Sequence, residues 1–211
     1  MFDVFANGIR VLHNYDIFSA AGGKQYRAVV PEFGAIADGN GTLALKFSNG
    51  TASNPKVSGI EVRQSIVLAV PSRSGGDGFS GGAFYPPVAS LVSKKVDSSK
   101  VIMPAPDAVY QTELFGDFIY TKGGLTPGQT YLIRLHESEN YWTASGQRKF
   151  NVSANGETKL VDYDIIGTTG GQNIAVAPEF YATADKNGQI ELQFTTGSAN
   201  LPKVDGVEIF R

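Results

Sequence analysis

The sequence predicts an all-β protein, an antiparallel β-sandwich. Many short segments alternate apolar and polar residues with the period of a half-buried strand, and turns containing glycine or proline separate them. No segment carries the apolar stripe of a helix about a dozen residues long. Many short strands joined by such turns are typical of two antiparallel sheets packed face to face.

The predicted strands follow one another along the whole chain. Thr42 to Phe47 and Gln189 to Phe194 alternate after Asp-x-Asn-Gly turns, and Asn155 begins an Asn-Gly hairpin signal. Turns rich in glycine and proline separate the other alternating segments. These other segments are residues 57–62, 66–70, 108–115, 118–120, 131–135 and 150–152.

Two parts of the chain, residues 2–62 and 150–209, are copies of one unit. The first strand of each copy ends in Ala-Asn-Gly, and each copy continues with Tyr-Asp-Ile, Pro-Glu-Phe, Asp-x-Asn-Gly and Pro-Lys-Val. Roughly half of the paired positions are identical, with one single-residue gap, which exceeds a chance self-match. We interpret the two segments as an internal duplication.

The segment between the copies, residues 66–149, has a different sequence. We interpret residues 64–211 as a complete domain and residues 1–63 as a duplicated second half without its first half. Half of a sandwich leaves its inner face and strand edges exposed. The first copy therefore packs on the complete domain, pairs with another chain and causes self-association, or competes with residues 151–211 for the shared segment. In the third case residues 1–150 form a circularly permuted domain.

Composition excludes several classes of function. The 211 residues allow one large β domain or one and a half ordinary ones, and a net charge of −2 without a basic run argues against nucleic acid as a partner. No apolar run approaches the roughly 20 residues that span a bilayer, so we predict no membrane insertion. Cysteine is absent, and His13 and His136 have no partner at ligand spacing, so we predict no metal and no cofactor.

A loop between two predicted strands is the first candidate for a binding site. It carries Tyr141 and Trp142, the only tryptophan of the chain, among small and polar residues. A large aromatic pair on a loop usually recognises a ligand, although Trp142 could instead cap an edge of the sandwich. A pyranose offers an apolar face that an aromatic ring matches. The pair therefore favours carbohydrate recognition.

Several motifs, in this order along the chain, resemble those of the malectin domain family. They are Tyr110-Gln-Thr-Glu113, Leu125-Thr-Pro-Gly128, Glu139-Asn-Tyr141-Trp142, Arg148-Lys-Phe150-Asn-Val and Pro202-Lys203-Val204-x-Gly206-Val-Glu208. The resemblance covers about one whole domain and implies a jelly-roll-like β-sandwich that binds glucose-containing disaccharides. Bacterial members are commonly modules of secreted or surface proteins, which implies an extracellular, periplasmic or cell-surface location.

The resemblance also implies which aromatic side chains hold the sugar. Two of them are Tyr141 and Trp142, and a third is Phe115, after the Tyr-Gln-Thr-Glu motif. The fourth falls in the glycine-rich segment, at Phe79 or alternatively at Tyr85. The phenylalanines keep a stacking face but lack the hydroxyl of a tyrosine.

One carboxylate accompanies these rings in the family, and Asn200 stands at its position here. An amide can form hydrogen bonds but has no charge. In the permuted arrangement Ser53 would take this position. Glu139 completes the predicted ligand-binding set, and Glu137 replaces a phenylalanine expected from the family.

The sequence therefore predicts a non-catalytic, lectin-like module that binds an oligosaccharide or polysaccharide. A protein-interaction or adhesion module on the same fold is the alternative. A glycoside hydrolase ranks third, because Glu113 and Glu139 would have to be a catalytic pair, whereas a glutamate there can satisfy loop amides or Arg148. Asp38 and Asp185 resemble the start of a calcium loop, but without its later ligands they favour turns.

Overall fold

The computed structural model describes residues 1–51, 54–72, 78–85 and 95–211, so Ser53 lies outside the described residues. The chain divides into two compact units, Met1–Val62 and Arg63–Arg211. The first is called unit 1 below, and the second unit 2.

Unit 1 contains one small antiparallel sheet with the strand order β2-β1-β3. Its elements are β1 Phe2–Ala6, β2 Ile9–Tyr15, the short helix α1 Ile17–Ala20 and β3 Leu45–Asn49. Asn7 and Gly8 both have positive φ, of 46° and 83°, as a two-residue hairpin turn requires. The Asp16 side chain caps α1 by accepting hydrogen bonds from the backbone N–H of Phe18 and Ser19.

Unit 2 contains two sheets, and all pairs between its named strands are antiparallel. Its strands are β4 Ser65–Ala69, β5 Phe79–Tyr85, β6 Glu113–Lys122, β7 Thr130–Ser138, β8 Lys149–Ala154, β9 Glu157–Tyr163, β10 Ala175–Val176, β11 Glu179–Thr183, β12 Ile190–Ala199, β13 Lys203–Val204 and β14 Gly206–Phe210. Its helices are the 3-10 helix Val109–Gln111 and α2 Ile165–Thr169.

One sheet has the order β10-β7-β14-β4, with β11 also paired to β7. The other has the order β13-β6-β12-β8-β9, with β5 also paired to β6. Side chains of both sheets form one buried core, in which Phe118 of β6 stacks on Phe194 of β12 at 4.3 Å between ring centroids. The predicted antiparallel β-sandwich is confirmed, and alternation along the strands places the apolar residues inside.

Two of the strand predictions are wrong, those for residues 108–115 and 57–62. Residues 108–115 begin with the 3-10 helix, and the strand starts only at Glu113. Tyr110 lies in this helix, where it is buried and its hydroxyl is 3.0 Å from His136 Nδ1. Residues 57–62 alternate like a strand but form none. A strand needs a neighbour for its backbone N–H and C=O groups. The equivalent β14 has two neighbours, β4 and β7.

Candidate functional site

The loop between β7 and β8, residues 139–148, carries the predicted aromatic pair and is held in place by the buried side chain of Glu139. This side chain is only 1% exposed. Its Oε1 accepts hydrogen bonds from the backbone N–H of Tyr141 and Trp142, both at 3.0 Å, and its Oε2 accepts one from Arg148 Nε at 2.7 Å. The carboxylate of Glu139 therefore positions the loop, and a contact between Glu139 and a ligand stays a prediction.

Arg148 joins this loop to the turn that follows β12. Besides its bond to Glu139, it donates from Nη1 to the carbonyl of Leu201 at 2.6 Å. In the same turn Asn200 has a φ of 62°, and its Oδ1 accepts from the backbone N–H of Leu201 at 2.9 Å. Asn200 is exposed, as predicted for a ligand contact, but this acceptor already stabilises its own turn.

The far side of the loop is held by Gln147 and Asp164. Gln147 Oε1 accepts from the backbone N–H of Thr143 and Ala144. Asp164, the N-cap of α2, accepts from the Ser145 hydroxyl at 2.7 Å. Partial burial opposes the charge of Asp164, but hydrogen bonds from its neighbours outweigh it and lower the pKa of this carboxyl. The loop is thus tied to two other parts of unit 2, the turn that contains Leu201 and the start of α2.

The structure places the aromatic pair at the surface. Tyr141 is 64% exposed and Trp142 is half-buried. Their rings meet edge to face, with 4.9 Å between centroids and 88° between planes. Such contacts are favourable geometries for aromatic pairs. Trp142 therefore acts as a support against which the exposed ring of Tyr141 is held.

Phe115 lies near this end of the sandwich, but Phe79 does not. Half-buried Phe115 pairs in register with Lys203, and the N–H of Gly116 donates to the Pro202 carbonyl at 3.0 Å. Phe79 pairs instead with Tyr120, at the other end of β6, and is 9% exposed.

The ring of Phe79 packs inside the core, 4.7 Å from that of Tyr120, so a ligand contact by Phe79 stays a prediction that this packing does not favour. The backbone of the alternative, Tyr85, pairs with Glu113, close to Phe115. The side chain of Tyr85 lies outside the described part of the structure.

A cluster of buried charges lies close to the same loop, with Lys203 at its centre. Lys203 is fully buried, and its Nζ lies 2.7 Å from Glu113 Oε2 and 2.9 Å from Asp205 Oδ1 and donates to the carbonyl of Ser138. Burial raises the pKa of Asp205 to about 7, although Lys203 pulls it downwards. The ammonium group of Lys203 thus forms ion pairs with two carboxylates, those of Glu113 and Asp205.

Glu137, which replaces a phenylalanine expected from the family, is buried among these charges. It follows Tyr131, Ile133 and Leu135 on the inward face of β7, and among the described residues neither of its carboxylate oxygens has a hydrogen-bond partner. Burial, together with the nearby charge of Asp205, raises the pKa of Glu137 well above its ordinary value.

A hydrolytic pair is not supported by this geometry. Burial opposes the charge of Glu113, but Lys203 outweighs it and lowers the pKa of this carboxyl, whereas a general acid needs a raised one. The other candidate, Glu139, is occupied by Arg148 and two backbone N–H groups. Neither carboxylate is placed to donate a proton to a bound sugar.

The remaining predicted candidates have ordinary structural surroundings. Asp38 and Asp185 each accept two backbone hydrogen bonds within their own turns, which confirms the turn interpretation. His13 contacts Asp3, and His136 lies between Tyr110 and Glu208. Within the described ranges no group of three or more acidic or histidine side chains could hold a metal ion. No described helix is long and apolar enough to cross a membrane.

The fold and the anchored loop define an antiparallel β-sandwich of the kind that presents loops to a ligand. The sequence matches the malectin domain family over residues 77–207, and the chain belongs to this family. The resemblance seen in the sequence is thereby confirmed.

Relatives with detectable sequence similarity are plant receptors. The chain is 31% identical to Receptor-like protein 4 of Arabidopsis thaliana over 115 residues, 50% of this chain and 18% of that protein. It is 31% identical to Receptor-like protein kinase ANXUR2 of the same plant over 141 residues, 56% of this chain and 16% of that protein. The chain thus spans less than a fifth of the length of either receptor.

Solved structures of similar fold are also receptor ectodomains. The ANX2 ectodomain from Arabidopsis thaliana superposes with a TM-score of 0.59 at 19% identity, covering 99% of this chain and 72% of that one. A structure of the plant peptide RALF23 in complex with FER and LLG2 gives a TM-score of 0.57 at 16% identity, covering 100% and 72%. At identities of 19% and 16%, this likeness shows a shared fold and nothing further.

Proposed function

We propose that the chain is a non-catalytic recognition module of a cell-surface or secreted protein, and that it binds a polypeptide ligand through the loop at residues 139–148. The observation that carries this proposal is Tyr141, which exposes 64% of its surface on a loop fixed by buried Glu139 and Arg148. A rigid loop loses little conformational entropy on binding, and tyrosine supplies a large contact area with few rotatable bonds.

The chemistry around Tyr141 favours a polypeptide over a sugar. A sugar needs polar side chains free to bind its hydroxyl groups, but Glu139 is buried and the Oδ1 of Asn200 accepts within its own turn. The neighbouring turn instead exposes Leu201, which is 41% accessible. An aromatic and aliphatic surface of this kind is typical of contacts between proteins. The RALF23 complex with FER and LLG2, which shares the fold, is consistent with this proposal.

Carbohydrate binding is the second candidate, and the exposed ring of Tyr141 is the observation that favours it. The ring could stack on the apolar face of a glucose-containing disaccharide, with Trp142 behind it. With few polar partners available, the expected affinity is weak, in the millimolar to micromolar range, or about −4 to −8 kcal/mol. The extracellular context predicted from the sequence suits both candidates.

One experiment separates the two candidates. Peptides selected from a displayed random library on the full chain, and a panel of glucose disaccharides, are titrated by calorimetry against three proteins: the wild type, Tyr141→Ala and the control Tyr181→Ala. Tyr181 lies on β11 and is 56% exposed, so it matches Tyr141 in type and accessibility.

We expect selected peptides to bind the wild type and Tyr181→Ala, and to lose about tenfold or more in affinity with Tyr141→Ala. Disaccharide binding with the same mutational pattern, and no peptide selected, would favour the second candidate. Peptides that bind all three proteins equally would refute the assignment of the loop.

A further inference from the structure

The two copies of the internal repeat differ in burial at equivalent apolar positions. In residues 57–62 of unit 1 the three aliphatic side chains are 52%, 56% and 66% exposed. In residues 204–209 of unit 2 the three equivalent side chains are fully buried. The first three are Val57, Ile60 and Val62, and the second three are Val204, Val207 and Ile209. The same apolar pattern is therefore covered in one copy and exposed in the other.

The secondary structure of the copies differs in a systematic way. In unit 2, β8 pairs with β9 and with β12. The equivalent strand β1 of unit 1 pairs in the same way with β2 and with β3. Strands β11, β13 and β14 pair with β4, β6 or β7, all within residues 64–149. Their equivalents in unit 1, at residues 32–36 and 56–62, are irregular. Unit 1 thus lacks the strands whose partners a first half would supply.

The edge of the unit 1 sheet shows the same difference. In unit 2, β12 pairs with β8 on one side and with β6 on the other. Its equivalent β3 pairs with β1, and the described residues provide β3 with no second strand. An unpaired edge presents backbone N–H and C=O groups that another strand can bind.

Charges in the repeat indicate the chemistry of the missing partner. In unit 2, Lys203 is fully buried against Glu113, which belongs to the first half. Lys56 stands at the equivalent position of unit 1 and is exposed. A partner segment that carries a carboxylate at the place of Glu113 would match Lys56. A buried ion pair of this kind adds specificity in register and partner choice.

We propose that unit 1 is a docking surface for a polypeptide segment that carries the strand pattern of residues 64–149, with a carboxylate facing Lys56. The added segment would pair with the free edge of β3 and cover the apolar side chains of residues 57–62. A second copy of this chain is a poorer occupant, because donating its own residues 64–149 would expose residues 150–211 and gain no burial. This surface is separate from the one assigned to Tyr141.

The experiment uses residues 64–149 of this chain as the probe, added in excess to the full chain. Hydrogen exchange is followed in residues 57–62. A second form attaches the same segment ahead of Met1 through a flexible glycine-serine linker, which presents it at high local concentration. We expect exchange in residues 57–62 to slow about tenfold or more with either form, because strand pairing protects backbone amides.

Charge reversal tests the register of the docked segment. Lys56→Glu should weaken the protection about tenfold, since it would face the carboxylate of Glu113 in the probe. A probe with Glu113→Lys should restore protection to Lys56→Glu. Lys24→Glu is the matched control, because Lys24 is an exposed lysine of unit 1 that lies outside β3, outside residues 57–62 and outside the proposed ion pair.

Three results would overturn the proposal. The first is unchanged exchange in residues 57–62 with both forms of the probe. The second is equal loss of protection in Lys56→Glu and Lys24→Glu, or no rescue by the probe with Glu113→Lys. The third is a concentration-dependent dimer of the full chain that protects residues 57–62 without any probe, which would make a second copy the occupant.

Discussion

Glu139 and Arg148 form a buried ion pair, with 2.7 Å between Oε2 and Nε, at the base of the loop that carries Tyr141 and Trp142. Each partner also makes contacts outside the pair. Glu139 accepts hydrogen bonds from the backbone of this loop, and Arg148 donates to the carbonyl of Leu201. The pair therefore couples two loops at one end of the sandwich.

Arg148→Ala should lower the free energy of unfolding of unit 2 by about 3–5 kcal/mol, because it leaves the buried carboxylate of Glu139 without its cation. The matched control is Lys159→Ala, which breaks an ion pair of 2.8 Å whose acid, Glu157, is 76% exposed. That control should cost less than about 1 kcal/mol. Urea unfolding measures both, and equal losses would contradict the structural role of the Arg148 pair.

Glu139→Gln should loosen the loop without removing its bulk. The single tryptophan, Trp142, reports this change directly, because its emission moves to longer wavelength when a half-buried indole gains water. Exchange of the Tyr141 and Trp142 amides should also accelerate, since their shared acceptor loses its charge. Glu157→Gln is the control and should leave the spectrum unchanged. An identical spectrum in both variants would refute the role of Glu139.

The buried carboxyls predict that stability falls as pH rises. The pKa of Glu137 and that of Asp205 are raised in the folded state, so both bind protons more tightly there than in the unfolded chain. Their contribution is complete below the ordinary carboxyl pKa, and that of Asp205 is lost as pH passes through about 7. The pKa of Glu113 is lowered in the folded state, so its contribution to stability is lost as pH falls, but only in more acidic solution.

The free energy of unfolding should therefore decline between pH 5 and 8, by at most about 1.4 kcal/mol per pH unit for each proton released. Glu137→Gln should make this decline shallower, because one of the two titrating carboxyls is replaced by a neutral amide. Urea unfolding at several pH values gives the slope for each protein. A slope identical to that of the wild type would show that Glu137 binds no more protons in the folded state than in the unfolded chain over this range.

Equivalent phenylalanines in the two repeat copies should differ in their effect on stability. Phe194 is fully buried and stacked on Phe118, so Phe194→Ala should cost about 3–5 kcal/mol in the unfolding of unit 2. Phe47, its equivalent in β3, is only half-buried. Phe47→Ala should cost less than half as much in the unfolding of unit 1. Similar losses would mean that unit 1 has a complete core in solution.

Much of the fold was predictable because its signals are local. Alternation along β7, β8 and β12, the hairpin at Asn155 and the turn at Asp185 each depend on residues close in sequence. The surface position of Tyr141 followed from the same local reasoning, since a polar loop of small residues cannot bury two large rings. These features required no knowledge of strand partners.

Features that depend on distant partners were not predictable. Residues 57–62 carry the alternation of a strand, but whether they form one depends on neighbours that only the fold supplies. The resemblance to the family assigns Phe79 to the ligand-binding rings, yet its register on β6 puts it opposite Tyr120. Glu137 gave one usable signal, a carboxylate at an inward position of β7, but its raised pKa depends on burial in the folded core and on the charge of Asp205, far along the chain.

The division between the two units also has a practical consequence for preparing the protein. The two buried apolar clusters of unit 2 draw all their side chains from residues beyond Arg63, so a shortened gene that starts at this residue is expected to yield a folded, soluble product. A product that includes unit 1 retains the open edge of β3 and the exposed aliphatic side chains of residues 57–62, and it should aggregate earlier during concentration. Crystallisation and NMR samples are better prepared from the shortened form.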